Sequence, residues 1–110
     1  MSGAVPQISL GDLSQFRVAI ITASWHEQIC ADLIAGARRA LEKAKIKPEP
    51  VIYVPGSFEL PLAAQLALDS GFDAAVVLGV VLRGETPHFD YVCQGVTQGI
   101  MQVSLSRSKP

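Results

Sequence analysis

Residues 74–96 read AAVVLGVVLRGETPHFDYVCQGV, and this stretch decides the fold class. Its first nine residues, Ala74 to Leu82, form an unbroken apolar run, which is typical of a short strand buried on both faces. Polar residues begin at Arg83. Thr86 has the side chain of an N-cap, and Pro87 suits the first helical turn, where a missing amide hydrogen costs nothing. The stretch therefore predicts a strand, a polar turn and a helix that begins at about Pro87.

Two similar units precede this one along the chain. The segment Phe16 to Ala23 reads FRVAIITA and predicts a buried strand. Ser24 and Glu27 have the spacing of a capping box and predict the start of a helix. A second strand is predicted over Pro50 to Val54, and Ser57 is expected to cap the helix that follows it.

The alternation of strands and helices predicts an α/β fold. Crossovers of helical length imply a parallel sheet with right-handed connections, in a three-layer flavodoxin-like arrangement of helices on both faces. Residues 16–110 are assigned to this domain. Residues 1–15 are rich in Gly, Ser and Pro and are expected to be an exposed arm. This arm either pairs with the sheet edge of another chain or is a disordered terminus.

Length and composition exclude several classes of protein. The chain has 110 residues and a mass of 11.7 kDa, which is enough for one domain. Nine basic and ten acidic residues leave a net charge of -1, so nucleic acid and anionic membrane are not expected as partners. The N-terminus has no secretory signal pattern, and the apolar runs are too short for a membrane span. With only two cysteines, Cys30 and Cys93, a reduced cytoplasm is the expected location.

Three turns are expected to meet at one edge, because the carboxyl ends of parallel strands lie together. Trp25, in the first turn, offers a stacking surface for a flat ring, or it covers the rim of the sheet. Glu59, in the second, either suits the helix dipole or binds ligand hydroxyls.

The third turn has the features of an anion site. The amides of Gly84 and Glu85 and the Thr86 hydroxyl are positioned to cradle a phosphate at a helix N-terminus. His88 lies beside them and suits proton transfer, although an exposed first-turn histidine without a role is more common. His26 is interpreted as a rim residue, and Arg83 as a partner of Glu85 or of a neighbouring chain.

Together, the motifs ASWHEQIC (23–30), VPGSFELP (54–61) and LGVVLRGETPHFDYVCQGVTQGI (78–100) resemble lumazine synthase of riboflavin biosynthesis. The resemblance implies condensation of 5-amino-6-(D-ribitylamino)uracil with 3,4-dihydroxy-2-butanone 4-phosphate to 6,7-dimethyl-8-ribityllumazine. It implies that Trp25 stacks on the pyrimidine and that His88 transfers protons. The other implied contacts fall into three groups: ribityl contacts at Ser57, Phe58 and Glu59, backbone contacts to the pyrimidine at Val80, Val81 and Leu82, and phosphate contacts at Gly84, Glu85 and Thr86.

The resemblance also carries expectations about cofactors and assembly. No metal, flavin or covalent nucleophile is implied. Family members form homo-oligomers based on pentamers. Their chains are longer, with a fourth parallel strand, C-terminal helices and a phosphate-binding arginine, so this chain is expected to represent a C-terminally truncated domain. The alternative is a non-catalytic fragment that acts only in binding or in oligomer assembly.

Overall fold

The computed structural model describes residues 3–110, so Met1 and Ser2 of the predicted arm lie outside the described residues. The elements follow in the order β1 (Val18–Ala23), α1 (Glu27–Lys43), β2 (Ile52–Val54), a 3₁₀ turn (Ser57–Glu59), α2 (Leu60–Asp69), β3 (Ala74–Leu78) and α3 (His88–Arg107). The three strands form one parallel sheet in the order β2-β1-β3. The predicted α/β fold with a parallel sheet flanked by helices is confirmed.

Strand β1 is the centre of the molecule. All six of its residues are buried, and they alternate between the two faces of the sheet. Ile21 is fully buried and belongs to a cluster with Leu60 of α2 and Val103 of α3. Val18 belongs to a smaller cluster on the other face, with residues at the end of α1. The sheet is therefore covered on both sides, which explains why β1 has an almost continuous apolar sequence.

The predicted strand over Ala74–Leu82 is wrong in its length and in its burial. Strand β3 ends at Leu78, and its five residues are only partly buried. The reason is that, among residues 3–110, β3 is an edge strand whose only neighbour is β1. The last paired residues are Thr22 and Leu78, and β1 itself ends at Ala23. Residues 79–82 continue beyond the ladder, and the part of the chain that the structure describes has no strand that pairs with them.

The predicted capping box of Ser24 and Glu27 is also wrong. Helix α1 begins at Glu27, and its N-cap is His26, which has a left-handed backbone with φ 59° and makes no side-chain capping hydrogen bond. The Ser24 hydroxyl instead donates to the carbonyl oxygen of Val54 at 2.7 Å. This hydroxyl therefore ties the turn after β1 to the end of β2. Helix α3 begins at His88 and its N-cap is Pro87, so the predicted N-cap Thr86 lies one residue before the observed one. Thr86 Oγ1 nevertheless accepts a hydrogen bond from the His88 amide at 3.3 Å.

Charged side chains stabilise the end of the sheet at which the three strands begin. Arg17 is paired with Glu49, and its guanidinium lies 4.2 Å from the centroid of the Phe72 ring. Lys109 donates to two carbonyl oxygens at the end of α2, those of Leu68 and Phe72. Within residues 3–110, no helix is both long and apolar enough to cross a membrane.

Candidate active site

The first two turns, the segment that follows β3 and the start of α3 meet at the carboxyl edge of the sheet and enclose an open cleft of about 320 Å³. Because β1 lies between β2 and β3, the turn after β1 is flanked by the other two turns. The cleft has aromatic, aliphatic and titratable side chains in its lining, which consists of Trp25, His26, Gly56, Ser57, Phe58, Glu59, Val80, Val81, Leu82, His88 and Val92. Eight of the eleven predicted site residues lie here, and three, Gly84, Glu85 and Thr86, do not.

Trp25 presents its ring to this cleft rather than to the core. The side chain is 69% exposed. A side-chain carbon added at Gly56 would lie 3.4 Å from Trp25 Cδ1, so the indole lies directly beside the backbone of the second turn. An exposed flat ring held beside a cleft is the geometry that stacking on a planar ligand requires.

The second turn is closed by its own glutamate. Glu59 Oε1 accepts a hydrogen bond from the Gly56 amide at 2.9 Å, which is the glutamate half of a capping box. Ser57 is 9% exposed, and its Oγ has no hydrogen-bond partner among residues 3–110. A buried hydroxyl without a partner is unusual, because burying it costs free energy that a hydrogen bond would recover.

Gly79 is a supporting residue that the sequence did not reveal. A Cβ at this position would lie 2.5 Å from Ser57 Oγ and 3.1 Å from Leu60 Cδ1. A side chain here would force Ser57 to shift, so Gly79 lets the second turn pack closely against the end of β3. In the sequence this glycine lies within the apolar run, and a glycine inside a strand pattern often marks close backbone approach.

His88 lies in the first turn of α3, against the ring of Phe58. The two ring centroids are 6.5 Å apart and the ring planes are perpendicular. Val92 lies one turn further along α3 and is buried at the floor of the cleft. Sequence reasoning had not included Val92 or His26 in the site, although Val92 follows His88 at the four-residue spacing of one helix face.

The third turn lies beside the cleft and is open to solvent. Residues 82–88 are all exposed. Arg83 pairs with Asp90 at 3.4 Å and stacks over Phe89, rather than pairing with Glu85.

Residues 3–110 contain no cluster of three or more His, Cys, Asp or Glu side chains arranged to hold a metal ion. The chemistry of the described cleft is therefore that of an indole, a hydroxyl, a carboxylate and two imidazoles.

The family model described as 6,7-dimethyl-8-ribityllumazine synthase matches residues 15–110. The chain belongs to the lumazine synthase family. A 6,7-dimethyl-8-ribityllumazine synthase from Streptomyces coelicolor is 50% identical over 111 residues, covering 100% of this chain and 69% of its own length. One from Pseudarthrobacter chlorophenolicus is 53% identical over 116 residues, covering 100% of this chain and 71% of its own. These lumazine synthases are longer than this chain, and they give no support to the alternative of a non-catalytic fragment.

Proposed function

We propose that this chain acts as a 6,7-dimethyl-8-ribityllumazine synthase of riboflavin biosynthesis. The observation that carries the proposal is that residues from all three motifs that resemble the family line one cleft. The substrates are 5-amino-6-(D-ribitylamino)uracil and 3,4-dihydroxy-2-butanone 4-phosphate. The reaction forms an imine between the uracil amine and the ketone with loss of one water and then eliminates phosphate. The ribityl-bearing nitrogen then attacks the remaining carbonyl and closes the second ring with loss of a second water.

The pyrimidine is proposed to occupy the side of the cleft that Trp25 borders. The indole would stack on the ring, and the ring's polar edge would meet the backbone of residues 80–82. This assignment is supported by the early end of β3, because residues beyond Leu78 keep their amides and carbonyls free of the strand ladder. A free backbone edge offers both donors and acceptors to a planar heterocycle.

The ribityl chain is proposed to contact Ser57, Phe58 and Glu59. Glu59 uses Oε1 for the Gly56 amide, which fixes the carboxylate at the cleft wall. The buried Ser57 hydroxyl has no hydrogen-bond partner among residues 3–110, and Ser57 lines the cleft, so rotation about χ1 would present the hydroxyl to a ligand. A polyol chain would satisfy both groups.

The phosphate of the second substrate is proposed to lie at the N-terminus of α3. The amides of Gly84, Glu85 and Thr86 belong to the turn that enters this helix, where the positive end of the helix dipole favours an anion. His88 lies between this turn and the cleft, and it would transfer protons during imine formation and phosphate elimination. Holding two substrates in register supplies much of the expected rate enhancement.

In a direct test, both substrates are mixed with the chain and lumazine fluorescence is followed. A rate of lumazine formation no higher than that of the uncatalysed reaction would refute the proposed activity.

His88→Ala is expected to lower turnover by about 10²- to 10⁴-fold, the range of general acid–base catalysis. Pyrimidine affinity, measured by calorimetry, should stay within about twofold, because stacking and backbone contacts are retained. His26→Ala is the matched control and should slow turnover less, since it belongs to a different turn. Unchanged turnover in His88→Ala with a large loss of pyrimidine binding would contradict the assigned role.

We propose further that the protein is a pentamer-based homo-oligomer located in the cytoplasm. Large apolar side chains on the outer faces of α2 and α3 support association, among them Leu62, Leu66, Met101 and Leu105. Two free cysteines are compatible with a reducing compartment. Residues 1–15 are proposed to be an arm that precedes the domain at 16–110, since Gly3 to Asp12 are exposed and the family match begins at residue 15. Leu13 attaches the arm to the domain, because its amide donates to the Ala44 carbonyl at 2.9 Å. Sedimentation velocity that returned only monomer would refute the assembly.

A further inference from the structure

Helix α3 approaches the second turn very closely at Gly95. A Cβ at Gly95 would lie 2.6 Å from Cε1 and 3.3 Å from Cδ1 of the Phe58 ring. Carbon atoms in good contact are about 3.5 to 4.0 Å apart, so the ring occupies space that any side chain at this position would fill. The ring of Phe58 is therefore seated in a notch on the helix surface.

The ring in this notch also contacts the N-terminus of the same helix. His88 and Phe58 form a perpendicular pair with centroids 6.5 Å apart. His88, Val92 and Gly95 follow one another at four- and three-residue steps, so they lie on one face of α3. Phe58 thus lies along two turns of the helix, with the notch at one end and the imidazole at the other.

We propose that Gly95 is a positioning residue for His88 and acts through the Phe58 ring. Because the notch accommodates the Phe58 ring, it fixes the position at which this ring contacts the His88 imidazole. That contact restricts the position of the imidazole at the cleft. The consequence for catalysis rests on the proposed function of His88 as the proton-transfer group. The positional consequence does not depend on that function.

An added methyl group would act first on the ring. With Gly95→Ala, Phe58 must retreat by about 1 Å to restore ordinary contact. Phe58 is 51% exposed, so the ring has room to swing aside and the fold has a way to accommodate the change. A misplacement of about 1 Å at a reacting group reduces turnover by up to about 10²-fold.

The test measures the His88 imidazole itself, by carbon–proton correlation NMR of the labelled chain. The sequence contains only two histidines, so the spectrum holds two imidazole sets, which His26→Gln assigns. Gly95→Ala is expected to move the His88 resonances, to leave those of His26 in place, and to lower kcat by about 10- to 100-fold. Unmoved His88 resonances in folded Gly95→Ala would overturn the proposal, whether or not the chain makes lumazine.

Gly99→Ala is the matched structural control. A Cβ there would lie 2.7 Å from Cγ of Pro61, a similar clash one turn further along α3. This variant should lose stability without moving the His88 resonances, because its neighbour is not the Phe58 ring. Movement of the His88 resonances in Gly99→Ala to the same extent as in Gly95→Ala would show that general displacement of the helix, not the notch, sets the imidazole.

Phe58→Leu separates the notch from the ring. Leucine is shorter than phenylalanine, so combining it with Gly95→Ala should recover part of the lost stability. The His88 resonances should nevertheless stay displaced, because no ring meets the imidazole. In the single Phe58→Leu variant, His88 resonances identical to those of the unchanged protein would overturn the proposal, since the ring would then not position the imidazole.

Discussion

Ser57→Ala is expected to make the ligand-free protein more stable, although it removes a polar side chain from the proposed ribityl site. The Ser57 Oγ is buried and has no hydrogen-bond partner among the described residues. Leaving such a group unsatisfied costs about 1 to 3 kcal/mol. Because alanine deletes only this oxygen, we expect a gain near the lower end, about 1 kcal/mol.

The gain is measurable by urea unfolding. With a slope of about 1 to 3 kcal/mol per molar urea, 1 kcal/mol moves the midpoint upward by about 0.3 to 1 M. A thermal scan should show Tm rising by about 4 to 8 °C. Thr22→Val is the control, since Thr22 is also buried but donates to the Ala23 carbonyl at 3.1 Å. Removing that paired hydroxyl should cost about 0.5 to 1.5 kcal/mol.

A midpoint that falls in Ser57→Ala, as in Thr22→Val, would refute this reasoning. It would mean that the Ser57 hydroxyl forms a hydrogen bond in solution. The binding half of the prediction is tested separately, by calorimetry with the ribitylamino-pyrimidine. We expect Ser57→Ala to be more stable and to bind the ribitylamino-pyrimidine more weakly. This pattern is expected when a polar group contributes to ligand binding but lowers the stability of the ligand-free protein.

Two further predictions concern the cleft rim and the pH dependence of stability. Trp25→Ala should weaken pyrimidine binding by about 1 to 3 kcal/mol, the range of base stacking on an aromatic ring, and calorimetry that finds unchanged affinity would exclude stacking. The Arg107 guanidinium, bound to both carboxylate oxygens of Asp69, holds the pKa of that carboxyl below its usual value. A carboxyl whose pKa is lowered by folding stabilises the protein above its unfolded pKa, so this contribution should be lost as pH falls below roughly 4. Arg107→Gln should flatten the fall in unfolding free energy there, and an unchanged pH profile would contradict the pairing.

The order and type of the elements were readable from the sequence because they depend on neighbours a few residues apart. An apolar run bounded by turn residues predicts a strand, and three- and four-residue steps predict one face of a helix. The start of α3 was found this way to within one residue, and so was the presence of an indole, a carboxylate and an imidazole in the three turns. These residue types already restrict the chemistry of the site.

Tertiary structure alone decided where elements end and which side chains meet. Strand β3 stops at Leu78 because its only partner, β1, stops at Ala23, a limit that no local pattern in residues 74–82 contains. The Ser24 hydroxyl was taken by a carbonyl of β2 and not by its own helix. Packing of distant segments likewise set the contacts of Gly79 with Ser57 and of Gly95 with Phe58. Sequence determined which chemical groups the cleft has, and long-range packing determined their spacing, since contact distances depend on segments far apart along the chain.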